Sequence, residues 1–221
     1  MAVAEYGGGR GSALPLGELR LSDCVIRGAS AVLWWESSGA VSLEAANCLV
    51  TGPGAVLRLA RCPRRDEPVQ VSLERVTMRG GMAVVKVISD WIEAAPGALR
   101  VHAADSVFVP GERGALYLFR GEPSPTALLD AAEWSGQGCI VASGAPLAVW
   151  QSASRWQRAS DDAVRAAGLV RSELEFAGPD DAGAEASRVV RWQVPLTSPD
   201  PPGFRGLPEV ANARAAGALR E

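Results

Sequence analysis

The chain has 221 residues, 48% of them hydrophobic and 21% charged, with a formal net charge of −3. That length suits one domain with a sizeable core, and the balance of charge carries no basic stripe, so nucleic acid is not an expected partner. No apolar run reaches the roughly 18 residues that cross a bilayer, so membrane insertion by this chain is not expected either.

Residues 1–15 lack the basic and apolar regions of a signal peptide and read as a flexible lead-in. The compartment stays open between the cytoplasm and export as part of a larger chain. From residue 16 a cassette recurs. The first copy is Leu19-Arg-Leu21-Ser-Asp23-Cys24-Val-Ile26-Arg-Gly28, and the second is Leu43-Glu-Ala45-Ala-Asn47-Cys48-Leu-Val50-Thr-Gly52. Val71 to Gly80 and Val101 to Gly111 follow, with a degenerate fifth copy from Leu129 to Trp134. The aligned positions are 24, 48, 76, 106 and 134. After each cassette comes a second apolar run: Ala31–Trp35, Ala55–Leu59, Ala83–Val87, Ala115–Phe119, and Leu147–Trp150 in the fifth.

These runs alternate with period two and are separated by Gly, Pro, Ser or Asp, which is strand periodicity. A repeat of two or three strands without a helix cannot bury its apolar side alone, and stacking the copies solves this. The expected fold is therefore all-β: a parallel β-helix of about five coils over residues 16–150. A β-sandwich ranks second, because it would not place Asp23, Asn47, Arg75, Asp105 and Glu133 equivalently. The insertions Arg61–Pro68, Trp91–Pro96 and Gly121–Pro125 fall between coils and predict loops along one edge. Cys24 and Cys48 occupy the same core position, where small buried thiols are expected. With no CxxC motif and no Cys/His cluster, neither a metal site nor a cofactor is expected.

Residues 151–221 predict a mixed cap and an irregular tail. Ser154–Ala167 reads as a helix, Leu169–Phe176 and Val189–Val194 as strands, Gly178–Gly183 as a turn, and Ser198–Gly203 as a rigid connector.

The cassette resembles the parallel β-helix repeat of the pectate-lyase-like superfamily, whose right-handed coils often read L-x-L-x-N-C-x-I-x-G. Ala46-Asn47-Cys48-Leu49-Val50-Thr51-Gly52 is the nearest copy here. The segment from Ala148 through Trp150 to Trp156, and Ala216-Gly217-Ala218, are similar to the ends of many bacterial β-helix proteins. Over residues 16–221 the chain resembles carboxy-terminal β-helical modules of planctomycete-type bacteria, some attached to serine/threonine protein kinases. The resemblance implies a right-handed, single-stranded coil and no particular activity. The kinase signatures themselves are absent from the sequence.

Three sets of residues carry chemistry. The polar column Asp23, Asn47, Arg75, Asp105, Glu133 reads first as a turn ladder, with Ca²⁺ binding or proton abstraction as the sharper alternative. The column Trp34, Arg58, Lys86, Leu118 should point outward if Leu33, Leu57, Val85 and Tyr117 point inward. Trp34 beside Arg58 and Lys86 suits a sugar ring carrying a carboxylate. His102, the one histidine, reads as a surface residue.

The preferred function is a non-catalytic binding or scaffold module for a glycan, a cell-surface component or a protein, as part of a larger signalling or surface protein. The alternative is a small polysaccharide lyase or glycoside hydrolase acting on acidic polysaccharide. It requires two or more of Asp23, Arg75, Lys86, Asp105 and Glu133 to converge in a groove. The sequence does not indicate an oligomeric state.

Overall fold

A strand that alternates apolar and polar residues has one side to bury, so each coil needs a neighbour above and below it. The computed structural model describes residues 17–36, 39–91, 95–122, 126–151, 155–178, 188–192 and 201–207, and they form a parallel β-solenoid of about four turns. In chain order the strands are β1 (Gly17–Arg27), β2 (Ala31–Trp35), β3 (Val41–Thr51), β4 (Ala55–Leu59), β5 (Val69–Glu74), β6 (Thr77–Trp91), β7 (Leu99–Ala104) and β8 (Val107–Glu122). After the short helix α1 (Thr126–Ala131) come β9 (Ala132–Gln137), β10 (Cys139–Ala142), β11 (Ala148–Gln151), β12 (Trp156–Arg158), β13 (Arg165–Ala166), β14 (Leu169–Ser172), β15 (Leu174–Phe176) and β16 (Val189–Trp192).

The strands stack into three faces. On the first, Leu19, Leu43, Val71, Val101 and Trp134 are successive partners. The second carries Val25, Leu49, Thr77, Val107 and Ile140. On the third, Leu33, Leu57, Val85, Tyr117 and Ala148 stack. The inward side chains make one core, in which Leu43, Leu57, Val85, Tyr117 and Phe119 have no accessible surface. Trp134 meets Phe108 and Tyr117 edge-on at 5.1 and 6.3 Å between ring centroids, a favoured aromatic geometry. The buried Tyr117 hydroxyl donates to the carbonyl of Glu133 at 2.8 Å.

The corner between the first and second faces explains the polar column. Asp23, Asn47, Arg75 and Asp105 all have left-handed backbone, with φ between 45° and 53°. Such φ disfavours most side chains and is tolerated best by Asn, Asp and Gly. Arg75 is the exception in kind. The next residue closes the corner: the Cys24, Cys48 and Cys139 thiols and the Ser106 hydroxyl each donate to the carbonyl two residues back, at 3.0, 3.2, 3.4 and 2.8 Å. The cysteine column is thus a polar latch as well as core filling. No disulfide joins the four cysteines.

The fifth coil corrects the sequence alignment. Leu129 and Asp130 lie in α1, and Trp134 pairs with Val101 rather than with Ser106. The residue after the corner is Cys139, and Gly138 takes the left-handed position with φ 63°. Glu133 therefore sits on the first face, opposite Arg100, and not at the corner. The misalignment arose because Leu129-Asp-Ala131-Ala-Glu133-Trp134 copies the polarity pattern, whereas the corner needs a residue that accepts positive φ.

The capping segment also differs from its sequence reading. Within 154–167 there is no α-helix among the described residues. Trp156–Arg158 pairs antiparallel with β11, Asp161–Ala163 is a single 3₁₀ turn, and Arg165–Ala166 extends the first face beside Glu133 and Trp134. Unpaired strand edges at the end of the stack outweigh a weak helical preference. The strand expected over 169–176 divides: β14 joins the second face and β15 pairs with β16. Positions 179–183 of the expected turn and 198–200 of the expected connector lie outside the described residues. No helix among the described residues is long and apolar enough to cross a membrane.

Residues 201–207 return to the solenoid as a strap. The amide of Gly203 donates to the carbonyl of Asp105 at 2.6 Å, and that of Phe204 to the Thr77 hydroxyl at 2.8 Å. The amide of Arg205 donates to Asn47 Oδ1 at 2.9 Å, and Asn47 Nδ2 donates to the carbonyl of Gly206 at 2.9 Å. Phe204 is buried. The strap thus climbs along the polar corner against the direction of the coils.

Candidate functional site

Alternation on the third face points every second side chain of β2, β4, β6, β8 and β11 away from the core. Trp34, Arg58 and Lys86 are direct partners in successive coils, so the sequence-predicted column exists as a row. The Arg58 guanidinium lies over the Trp34 ring at 4.2 Å from its centroid, a cation–π contact, and Trp34 remains 48% exposed. Leu118, the expected fourth member, is in register with Lys86 but fully buried in a small cluster with Ala55, Ala83 and Met82. Two residues along β8, Arg120 is exposed and pairs with Ile88 and Gln151, and Gln151 pairs in turn with the exposed Trp156 of β12. The row thus runs Trp34, Arg58, Lys86, then Arg120, Gln151 and Trp156. Five strand spacings separate its ends, roughly 24 Å.

Arg20, Arg75, Arg100, Arg165 and Arg171 all have carboxylate partners. Among the described residues, Arg58, Lys86 and Arg120 have none. Cations without a carboxylate partner among the described residues also occur at the exposed Arg61, Arg65, Arg113, Arg155 and Arg188; this row sets three such cations near one another. The Arg58 Nε is buried without a hydrogen-bond partner. Among the described residues, Lys86 Nζ donates to the Met82 sulfur alone, at 2.8 Å. Burial, and then the charges of Arg58 and Arg120, hold the Lys86 ammonium below the ordinary lysine pKa.

The first face carries a second concavity, a groove of ≈ 650 Å³. Its floor is the polar ladder Ser42, Gln70, Arg100, Glu133, Arg165, beside Glu44, Ser72, His102 and Ser135. His102 is exposed, and its Nδ1 lies 3.1 Å from the Ser135 hydroxyl. The sequence reading placed His102 at the surface, and it sits there inside this groove. Both carboxylates of the groove are engaged: Glu133 with Arg100 and Arg165 at 3.3 and 3.6 Å, Glu44 with Arg20 at 3.2 Å.

The polar corner is the third place. Arg75 Nη2 and Asp105 Oδ2 are 3.4 Å apart, and Asn47 Nδ2 donates to Asp23 Oδ1 at 2.7 Å. Asn47 and Asp105 are engaged by the strap, so this column is a seat for the chain's own tail. Of the residues that the catalytic alternative invokes, Arg75 and Asp105 meet at the corner, where Asp23 also lies, whereas Glu133 lies in the groove and Lys86 on the third face. Among the described residues no three His, Cys, Asp or Glu side chains converge as a ligand set for a metal.

Sequence reasoning missed Arg120 and the groove ladder. Both follow from the same alternation, once Glu133 is placed in its correct register and counting continues past Leu118. Compared with known proteins, the chain matches no family model, and neither a curated protein nor a solved structure is significantly similar to it.

Proposed function

We propose that this chain is a non-catalytic β-helical binding module whose third face takes an acidic glycan lying along the stack. The observation that carries the reading is the row itself: three cations without carboxylate partners, flanked by two exposed tryptophans. Sugar rings stack on indole faces, and acidic substituents replace the counter-charge that the protein does not supply to Arg58, Lys86 and Arg120. Their spacing along the stack axis favours an extended, repeating ligand over a compact one. The resemblance of the Asn47-Cys48 cassette to pectate-lyase-like coils supports placement in that superfamily. It also supports a scaffold or sensor role within a larger signalling or surface protein.

The test is calorimetric titration with uronate-rich and neutral oligosaccharides. Binding confined to the acidic set, and abolished by the double variant Trp34→Ala/Arg58→Ala, is the expected result. Unchanged binding in that variant overturns the proposal. Incubation with uronate polysaccharides, watched for unsaturated products, tests the lyase alternative. That alternative predicts product; the binding module leaves the polymer intact.

A further inference from the structure

We propose that two copies of this chain associate end to end, about a two-fold axis, through the outer edge of the first coil. Among the described residues β1 pairs with β3 alone and β2 with β4 alone, so each presents a row of backbone donors and acceptors on its other side. Such an edge is a template for pairing with another chain. The side chains behind it are also incompletely covered. Leu19, Leu21, Ile26, Leu33 and Trp35 are half-buried, whereas their register partners Leu43, Ala45, Val50, Leu57 and Leu59 are buried.

The charge pattern selects a second copy as the occupant. In an antiparallel pairing of two β1 strands centred on Leu19, Glu18 of each copy stands opposite Arg20 of the other, on the outward side. Opposite charges so placed attract, and like charges repel. Both side chains are exposed, with Arg20 now 2.7 Å from its own Glu18 and 3.2 Å from Glu44. Leu19 meets its own copy on the inward side. At the far end of the stack the outermost strands are β12, which runs antiparallel to β11, and β13 and β14, which run parallel to β9 and β10. An antiparallel pairing of two β1 edges about a two-fold axis is self-complementary and gives a closed dimer rather than a head-to-tail filament.

The experiment is sedimentation equilibrium on the full chain across the micromolar range, with circular dichroism melts to confirm that each variant folds. The wild-type chain should sediment as a dimer. E18R and R20E, each alone, place like charges opposite one another twice and should weaken dimerisation by about tenfold or more. Mixed one to one, they bring two arginines against two glutamates and should restore a heterodimer of wild-type affinity. A monomeric wild-type chain overturns the proposal and leaves the edge to residues 1–16. A mixture that associates no better than its separate components overturns it equally.

Discussion

The backbone amide of Arg205 donates to the side chain of Asn47 across 158 residues of sequence. The same carboxamide reaches the carbonyl of Gly206 and the carboxylate of Asp23, so one residue ties the strap to two successive coils. Asn47 does this from a left-handed backbone, φ 48°, that few residues accept. Replacing it separates the two contributions. Asn47→Gly keeps the backbone and loses the clamp, with an expected cost of about 1–2 kcal/mol. Asn47→Ala loses both and should cost about 1 kcal/mol more. Urea unfolding midpoints of the two variants check the order; equal costs would show that the corner carries no strain.

Ser106 provides a second measure of the corner. Its hydroxyl donates to the carbonyl of Ala104 and accepts the amide of Val76, in a site without solvent access. Ser106→Ala leaves the buried Val76 N–H without its acceptor and should destabilise by about 1–3 kcal/mol. The threefold comparison is with Ser106→Cys, which keeps a weak acceptor and the latch chemistry of Cys48 and Cys139 and should recover part of the loss.

Burial pushes the Cys48 and Cys139 thiols up to about 11 from an ordinary value of 9.0. Two outcomes are expected. In the native chain both should resist a thiol reagent at neutral pH, while the half-exposed Cys24 reacts first. Stability should also fall as pH rises from about 9 to 11. In that window the unfolded chain releases the thiol protons and the native chain retains them, so the contribution is whole below 9 and disappears above 11. The double variant Cys48→Ala/Cys139→Ala should be less stable at pH 7 yet show a shallower decline, read from denaturation at successive pH values.

Ligand binding at the third face should carry its own pH signature. An anion is attracted to the protonated Lys86, whose pKa is held low by burial and by Arg58 and Arg120. Affinity for an acidic oligosaccharide should therefore fall as pH rises, beginning below the range in which an ordinary lysine titrates. Lys86→Gln should lower the affinity about tenfold and flatten that profile. A profile that keeps its slope in Lys86→Gln would remove the lysine from the site.

The pattern of alternating residues and turn residues was enough to identify a parallel solenoid, the coil boundaries of the first four copies, and the row Trp34, Arg58, Lys86. Strand geometry is local and has period two, so inward and outward positions follow from counting within one coil. The same counting misplaced Glu133, because polarity alone does not distinguish a corner residue from its neighbours and positive φ does. Three features depended on the tertiary structure. Leu118 is buried although it occupies an outward position, since it meets Ala55, Ala83 and Met82 from other coils. The segment read as a helix is instead spent on strand edges at the end of the stack. The strap of residues 201–207 finds its seat on Asn47, Thr77 and Asp105, contacts so distant in sequence that no local pattern encodes them. Periodicity determines which way a side chain points; only the assembled coils decide what it meets there.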